Sequence, residues 1–183
     1  MPDLEHISDT FHFRFATETR VVDVYTQDYK VFCGSMAYCT TSTGQTPGYA
    51  GRSKPEFFSK KYILDTTTCR KLYDLFAGLD VFHIPPQSTI RGWTRGLDGT
   101  TYLIECAGAP GHFYRTYWTP SAYKDSIKEA AMIDSAATGV DYILSTQESF
   151  GTFIDGLPAG CYSAGGYSIT CRRPGFLIEE NGW

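Results

Sequence analysis

The sequence predicts an α+β fold, a single domain over residues 1–183 with a mainly antiparallel sheet packed against two or three helices and a tail from about 174. Three observations lead there. Segments that alternate apolar and polar residues sit beside segments with apolar residues at spacings of three and four, the signatures of half-buried strands and amphipathic helices. Short turn signals such as Asp98-Gly99 separate strand-length runs, as in an antiparallel sheet. The composition supplies a core: 183 residues, 42% hydrophobic and 15% aromatic, with thirteen Tyr and twelve Phe. A chain of this length suits one domain and buries roughly 70% of its unfolded surface, so it needs no metal or disulfide merely to fold. With Thr, the aromatics favour pleated strands.

The first strand is 11–15, where Phe11, Phe13 and Phe15 form one buried face against His12 and Arg14. Strands 21–26 and 31–39 follow across the turn 27–30, then a Ser/Thr/Gly/Pro loop over 40–55 and a strand at 57–64. At Asp65 the period changes. Cys69, Leu72, Tyr73 and Phe76 fall at helical spacing, Asp65 or Thr66 caps the start and Gly78 ends the helix. Two prolines make 82–86 a connector. Strands 100–106 and 113–118 form a hairpin, and pairing Cys106 with His112 puts Tyr102, Ile104, Tyr114, Thr116 and Trp118 on its core face. Trp118 is then buried beside Tyr102 and Ile104, and Glu105 lies diagonal to Arg115. Thr119-Pro120 has the form of a cap and first helical residue, opening a long helix through Ala130, Ile133, Ala137, Val140 and Leu144 with Gly139 as a weak point. A shorter helix around Phe150, Phe153, Ile154 and Leu157 stops before Pro158, and 161–172 closes as a hairpin.

Charge and signals exclude some functions. The net charge is −4 and the sixteen Lys and Arg are scattered, which argues against a nucleic-acid partner or an anionic membrane surface. No apolar run approaches the ~18 residues of a membrane span, so no membrane insertion is expected and the domain reads as water-soluble. The opening residues show no basic and apolar leader pattern.

The six cysteines include no C-x-x-C, which removes zinc-ribbon and thioredoxin readings. Cys33 and Cys39 share one strand at ~20 Å and do not pair. Cys161 and Cys171 differ, because a three-residue loop over 165–167 sets them directly opposite each other. An oxidising compartment joins them and the cytosol keeps them reduced. The facing pair favours a periplasmic or secreted protein if a leader was trimmed; otherwise the protein is cytoplasmic.

Several residues could carry chemistry, and each has a structural reading beside it. Cys161 after Pro158-Ala159-Gly160 resembles an exposed elbow, but His6, His12, His83 and His112 are spread without catalytic context. Cys106 and His112 near Asp98 or Glu105 are too few ligands for a structural zinc, so no metal and no cofactor is expected. Asp98, Glu105 and Asp134 are carboxylates that nothing places in one cleft. The Phe11, Phe13 and Phe15 stripe reads as core rather than a base-stacking platform. The glycine-rich pieces lack the context of a phosphate cradle.

The run 93–102, W-x-x-G-x-D-G-x-x-Y in pattern, together with Tyr117-Trp118-Thr119-Pro120 and the glycine-rich hairpin at 161–171, resembles a group of bacterial hypothetical proteins over the second half of the chain. The resemblance implies a bacterial origin and a shaping role for Trp93, Asp98 and Trp118 in the central hairpin, and it brings no catalytic residues. The leading expectation is a non-enzymatic module that binds another protein, as inhibitors and immunity proteins do, because Tyr and Trp are favoured at interfaces. The alternatives are a small hydrolase using carboxylates or Cys161, and a domain that binds a small ligand or glycan through its aromatics. Trp93, Asp98 and Trp118 are the candidate binding residues, and Cys161 and Cys171 the candidate disulfide.

Overall fold

The computed structural model describes Leu4 and residues 9–44, 54–108, 111–165 and 168–173; the expected tail from about 174 lies outside them. Strands β1 (Phe11–Ala16), β2 (Arg20–Thr26), β3 (Phe32–Thr41) and β4 (Phe57–Leu64) run as a meander, and the hairpin β5 (Thr101–Gly108) and β6 (Gly111–Trp118) joins the other side of β1. The result is a six-stranded sheet in the order β4-β3-β2-β1-β5-β6, antiparallel at every pairing. Helices α1 (Thr66–Gly78), α2 (Lys128–Leu144) and α3 (Thr146–Asp155) complete the α+β fold, and β7 (Gly160–Ser163) pairs with β8 (Ile169–Arg172) in a separate hairpin.

The helices pack on the sheet face that carries Phe11, Phe13 and Phe15. Phe13 stacks on Phe76 of α1 at 4.8 Å, Phe15 meets the same ring at 5.3 Å, and Phe11 meets Tyr73 edge-on at 5.4 Å. α1 starts where expected, since the Asp65 side chain accepts from the Thr68 N–H at 2.9 Å. From α2 come Ala130, Ile133, Ala136, Ala137 and Val140, the positions a 3.6-residue period brings to one face. Gly139, expected as a weak point, lies inside an unbroken helix. A Cβ there would come within 2.6 Å of Leu75 of α1, so the missing side chain is what lets the two helices approach.

Five expectations are corrected. β1 is buried on both faces, with His12 and Arg14 as shielded as the phenylalanines. The β5–β6 register differs by one residue: Cys106 faces Phe113, and His112 faces Ala107. Because side chains alternate with period 2, that shift exchanges the two faces of β6. Tyr117, not Trp118, therefore enters the core beside Tyr102 and Ile104. Trp118 is half-buried on the opposite face, and Arg115 lies across from Ile104 instead of diagonal to Glu105. Finally, Pro120 opens only a short 3₁₀ turn, Pro120–Ala122, because Thr119 takes a left-handed conformation (φ 41°) and makes no cap; the long helix begins at Lys128.

The strands of the 161–172 hairpin pair as expected, and residues 166–167 of its expected loop lie outside the described residues. Cys161 faces Cys171 with the sulfurs 2.10 Å apart, at disulfide distance. Closing a loop this short stabilises the fold by about 2–3 kcal/mol in the chain-entropy model. The hairpin is tied to β3 by Thr40 Oγ1 to Ser163 C=O (2.6 Å) and to the residues just after it by the Thr43 N–H to Cys161 C=O bond (2.8 Å). Cys33 and Cys39 both lie on β3 and stay unpaired.

Tyr117 is 0% exposed and its hydroxyl reaches the Ile84 carbonyl at 3.1 Å. Tyr117→Ala is expected to cost about 3–5 kcal/mol in denaturant melts, the range for a large aromatic truncated in a core, and to cost more than Trp118→Ala. Equal losses would place Trp118 in the core after all.

Candidate functional site

On the sheet face away from the helices, one cross-strand row spans all six strands: Ile63, Ser35, Asp23, Arg14, Glu105 and Tyr114. Alternation along β1 sends Arg14 away from Phe13 and Phe15, and the neighbouring strands set a carboxylate opposite it on each side. Arg14 Nε donates to Asp23 Oδ1 and Nη1 to Glu105 Oε2, both at 2.8 Å. The other Glu105 oxygen meets His112 Nε2 at 3.0 Å, while His12 lies 3.2 Å from Asp9 and 3.6 Å from Asp23. The centre is shielded, with the Arg14 side chain 10% exposed, but both ends of the row are open: Ile63 is 80% exposed and Tyr114 59%.

Asp23 is poorly suited to act as a general acid. Burial alone would raise the Asp23 carboxyl, but the His12 hydrogen bond and the Arg14 guanidinium outweigh it and hold Asp23 below its ordinary range. It is ionised at neutral pH, whereas a general acid needs a pKa near the working pH. Glu105 is bound to Arg14 and His112, not to Arg115 as expected; Asp134 pairs with Lys124 at 3.0 Å; Asp98 is exposed in a loop. The three do not share a cleft. The buried thiols are equally unsuited: burial pushes Cys106 up to about 12 and Cys69 up to about 11, and Cys161 is engaged with Cys171. Among the described residues no three His, Cys, Asp or Glu gather as metal ligands. Nor is any helix among them long and apolar enough to cross a membrane.

The sequence-selected Trp93, Asp98 and Trp118 meet around the loop before β5. Trp93 is 5% exposed, and its indole Nε1 donates to the Trp118 carbonyl at 2.8 Å, which ties the loop to the end of β6. The Trp118 ring covers Gly96 and Gly99, where a Cβ would come within 2.5 Å of it at Gly96 and within 1.9 Å of Thr119 Oγ1 at Gly99. With φ at +147°, Gly99 also holds a conformation that side chains rarely adopt, which is why Asp98 is followed by glycine. Asp98 itself points to solvent.

Beside Trp93 opens a recess of about 380 Å³ against β6, lined by Trp93, Arg95, Tyr114, Arg115, Thr116 and the 86–88 turn, with no carboxylate in its wall. Arg115 is fixed by the carbonyls of Phe82 (3.2 Å) and Ile84 and lies 4.0 Å over the Phe113 ring. Arg95 is exposed and has no ion-pair partner among the described residues. Sequence reasoning selected Trp93 and missed Arg95, Tyr114 and Arg115. Arg95 was visible two residues beyond Trp93, but nothing local in the sequence sets Tyr114 and Arg115 of β6 beside that loop.

No protein-family model matches the chain, and no curated protein matches it.

Because the folded Asp23 value lies below the unfolded 3.8, its contribution to stability is fully present above 3.8 and lost as pH falls through the depressed value. Thermal melts taken from about pH 5 down to about pH 2 should show this loss. Asp23→Asn should lower stability at neutral pH and flatten the acid limb; an unchanged limb would mean that Asp23 does not titrate there.

Proposed function

We propose that the protein is a non-enzymatic module that binds another protein, as bacterial inhibitors and immunity proteins do, and that the recess beside β6 is its recognition surface. One observation carries the reading. The recess brings together Trp93, Tyr114 and two arginines, the residue types that dominate binding energy at protein interfaces. In a chain of net charge −4, this wall holds two guanidiniums and no acid, so the favoured partner presents an acidic side chain at an apolar rim. The bacterial origin rests on the W-x-x-G-x-D-G-x-x-Y pattern, whose Trp93 and Gly99 build this corner. A hydrolase is the weaker reading, because the carboxylates of the sheet face are held by Arg14 and Cys161 is held by Cys171.

The test is site-specific photo-crosslinking in the cells that make the protein, with a benzophenone amino acid at position 114 or, as control, at position 142, where Tyr142 of α2 is 86% exposed. A discrete adduct from position 114 alone, lost with Arg95→Glu, is the expected result. Adducts equal at both positions, or indifferent to Arg95→Glu, would remove the recess as a recognition surface.

A further inference from the structure

A second recess, of about 250 Å³, opens where the β1–β2 turn meets the junction of α2 and α3. Arg20, the first residue of β2, lies on the helix side of the sheet opposite Tyr38. Its side chain is 7% exposed, yet it has only one ion-pair partner among the described residues, Asp141 Oδ1 at 2.5 Å from Nη1. Its Nε is buried and has no hydrogen-bond partner among the described residues. A buried guanidinium offers a planar fork of five donors suited to two-oxygen acceptors. Here a single oxygen serves it, from a side chain that is itself 54% exposed.

The position of Asp141 is informative. It sits in the last turn of α2, where the helix dipole disfavours an anion. The same oxygen that meets Arg20 also accepts from Thr146 Oγ1 at 2.8 Å. Thr146 opens α3, a helix of 10 residues whose N-cap Ser145 is left-handed (φ 47°) and makes no side-chain cap bond. The oxygen thus lies between a buried cation and the first turn of an uncapped helix, a place that attracts carboxylates. Tyr102 and Phe150 add aromatic walls, and Gln147 lies at the mouth. The opposing charge in the lining is Glu18, which is exposed and accepts from the Thr101 N–H at 2.9 Å.

We propose that this recess binds a carboxylate carried on a small apolar or aromatic body, and that Asp141 is an internal stand-in which the ligand displaces from Arg20. The ligand's two oxygens take the Arg20 fork and the Thr146 end of α3, its body lies against Tyr102 and Phe150, and Asp141 turns out to water, where its exposed side chain is already half placed. Both free carboxylic acids and the C-terminus of a peptide carry this chemistry. The site is separate from the recess beside β6, and neither reading depends on the other.

The experiment is a titration of the full chain followed by amide NMR, with benzoate as probe and benzamide as its neutral isostere. Benzoate is expected to shift the amides of Arg20, Thr146 and Gln147, and benzamide to leave them in place. Asp141→Asn removes the stand-in, so benzoate should bind about fivefold tighter or more. Arg20→Gln should weaken it about tenfold or more. If Arg20→Gln fails to fold, Asp141→Asn alone decides, because a site that uses Asp141 to hold ligand hydroxyls would lose affinity in that variant. Tightening supports the proposal. Weakening, equal shifts from benzamide, or no shift with benzoate in the parent and in Asp141→Asn would overturn it and leave Arg20–Asp141 a structural ion pair. A short peptide tested with free and amidated C-terminus then separates the two sources: binding lost on amidation assigns the site to chain ends, and binding of benzoate alone assigns it to small acids.

Discussion

Arg14 sits in the middle strand of the β2-β1-β5 trio, 10% exposed, and the arrangement of the sheet depends on how its charge is met. β1 is covered on both faces, so a cation there cannot stay in water. An unpaired buried charge costs several kcal/mol, enough to erase much of the stability of an ordinary domain. The neighbouring strands answer it with Asp23 on one side and Glu105 on the other, each directly opposite Arg14 in the register. A slip of one residue in either pairing would turn the carboxylate to the phenylalanine side and leave Arg14 facing an apolar residue. The ion pairs therefore act less as a source of stability than as a condition on register.

That register also sets what the sheet presents on each face. With Glu105 opposite Arg14, β5 presents Ile104 and Cys106 to the helices, and its partner β6 sends Phe113, Arg115 and Tyr117 to the same side. Tyr114 and Thr116 then face away from the helices, while Trp93 packs on Tyr117 on the helix side, and together with Arg95 and Arg115 they line the recess at the β6 edge. On β2, the alternation that buries Val22 and Val24 also carries Arg20 to the helix side, where Asp141 is its one ion-pair partner among the described residues. Both recesses are thus consequences of strand alternation combined with charges that the core cannot accept unpaired.

Most of the elements were legible because they rest on local signals. The 57–64 strand, the Asp65 cap and the opposed Cys161 and Cys171 follow from periodicity, capping chemistry and loop length, all of which act over a few residues. The β5–β6 register was not legible, since the turn 107–111 admits two pairings and the choice is made by tertiary contacts: Tyr117 finding the Ile84 carbonyl, and Glu105 finding Arg14. The start of α2 was hidden because Thr119-Pro120 has the right residues for a cap but the wrong backbone. Burial of His12 and Arg14 was hidden as well, because alternation shows which face a residue takes and not what covers that face. The charged row and both recesses join residues far apart in the chain, such as Arg14 with Glu105 and Arg20 with Asp141, beyond the reach of any local pattern.

The dependence of the sheet on Arg14 is open to a direct measurement: urea unfolding free energies of Arg14→Met, of the pair Asp23→Leu and Glu105→Leu, and of the triple variant. Removing Arg14 alone should cost about 3–5 kcal/mol by leaving two carboxylates without their cation, and the triple variant should recover most of that loss, since packed apolar residues replace such clusters at little cost. A triple variant that loses the sum of the separate losses would contradict this view, because the three charges would then be acting independently rather than as one condition on the register of β1.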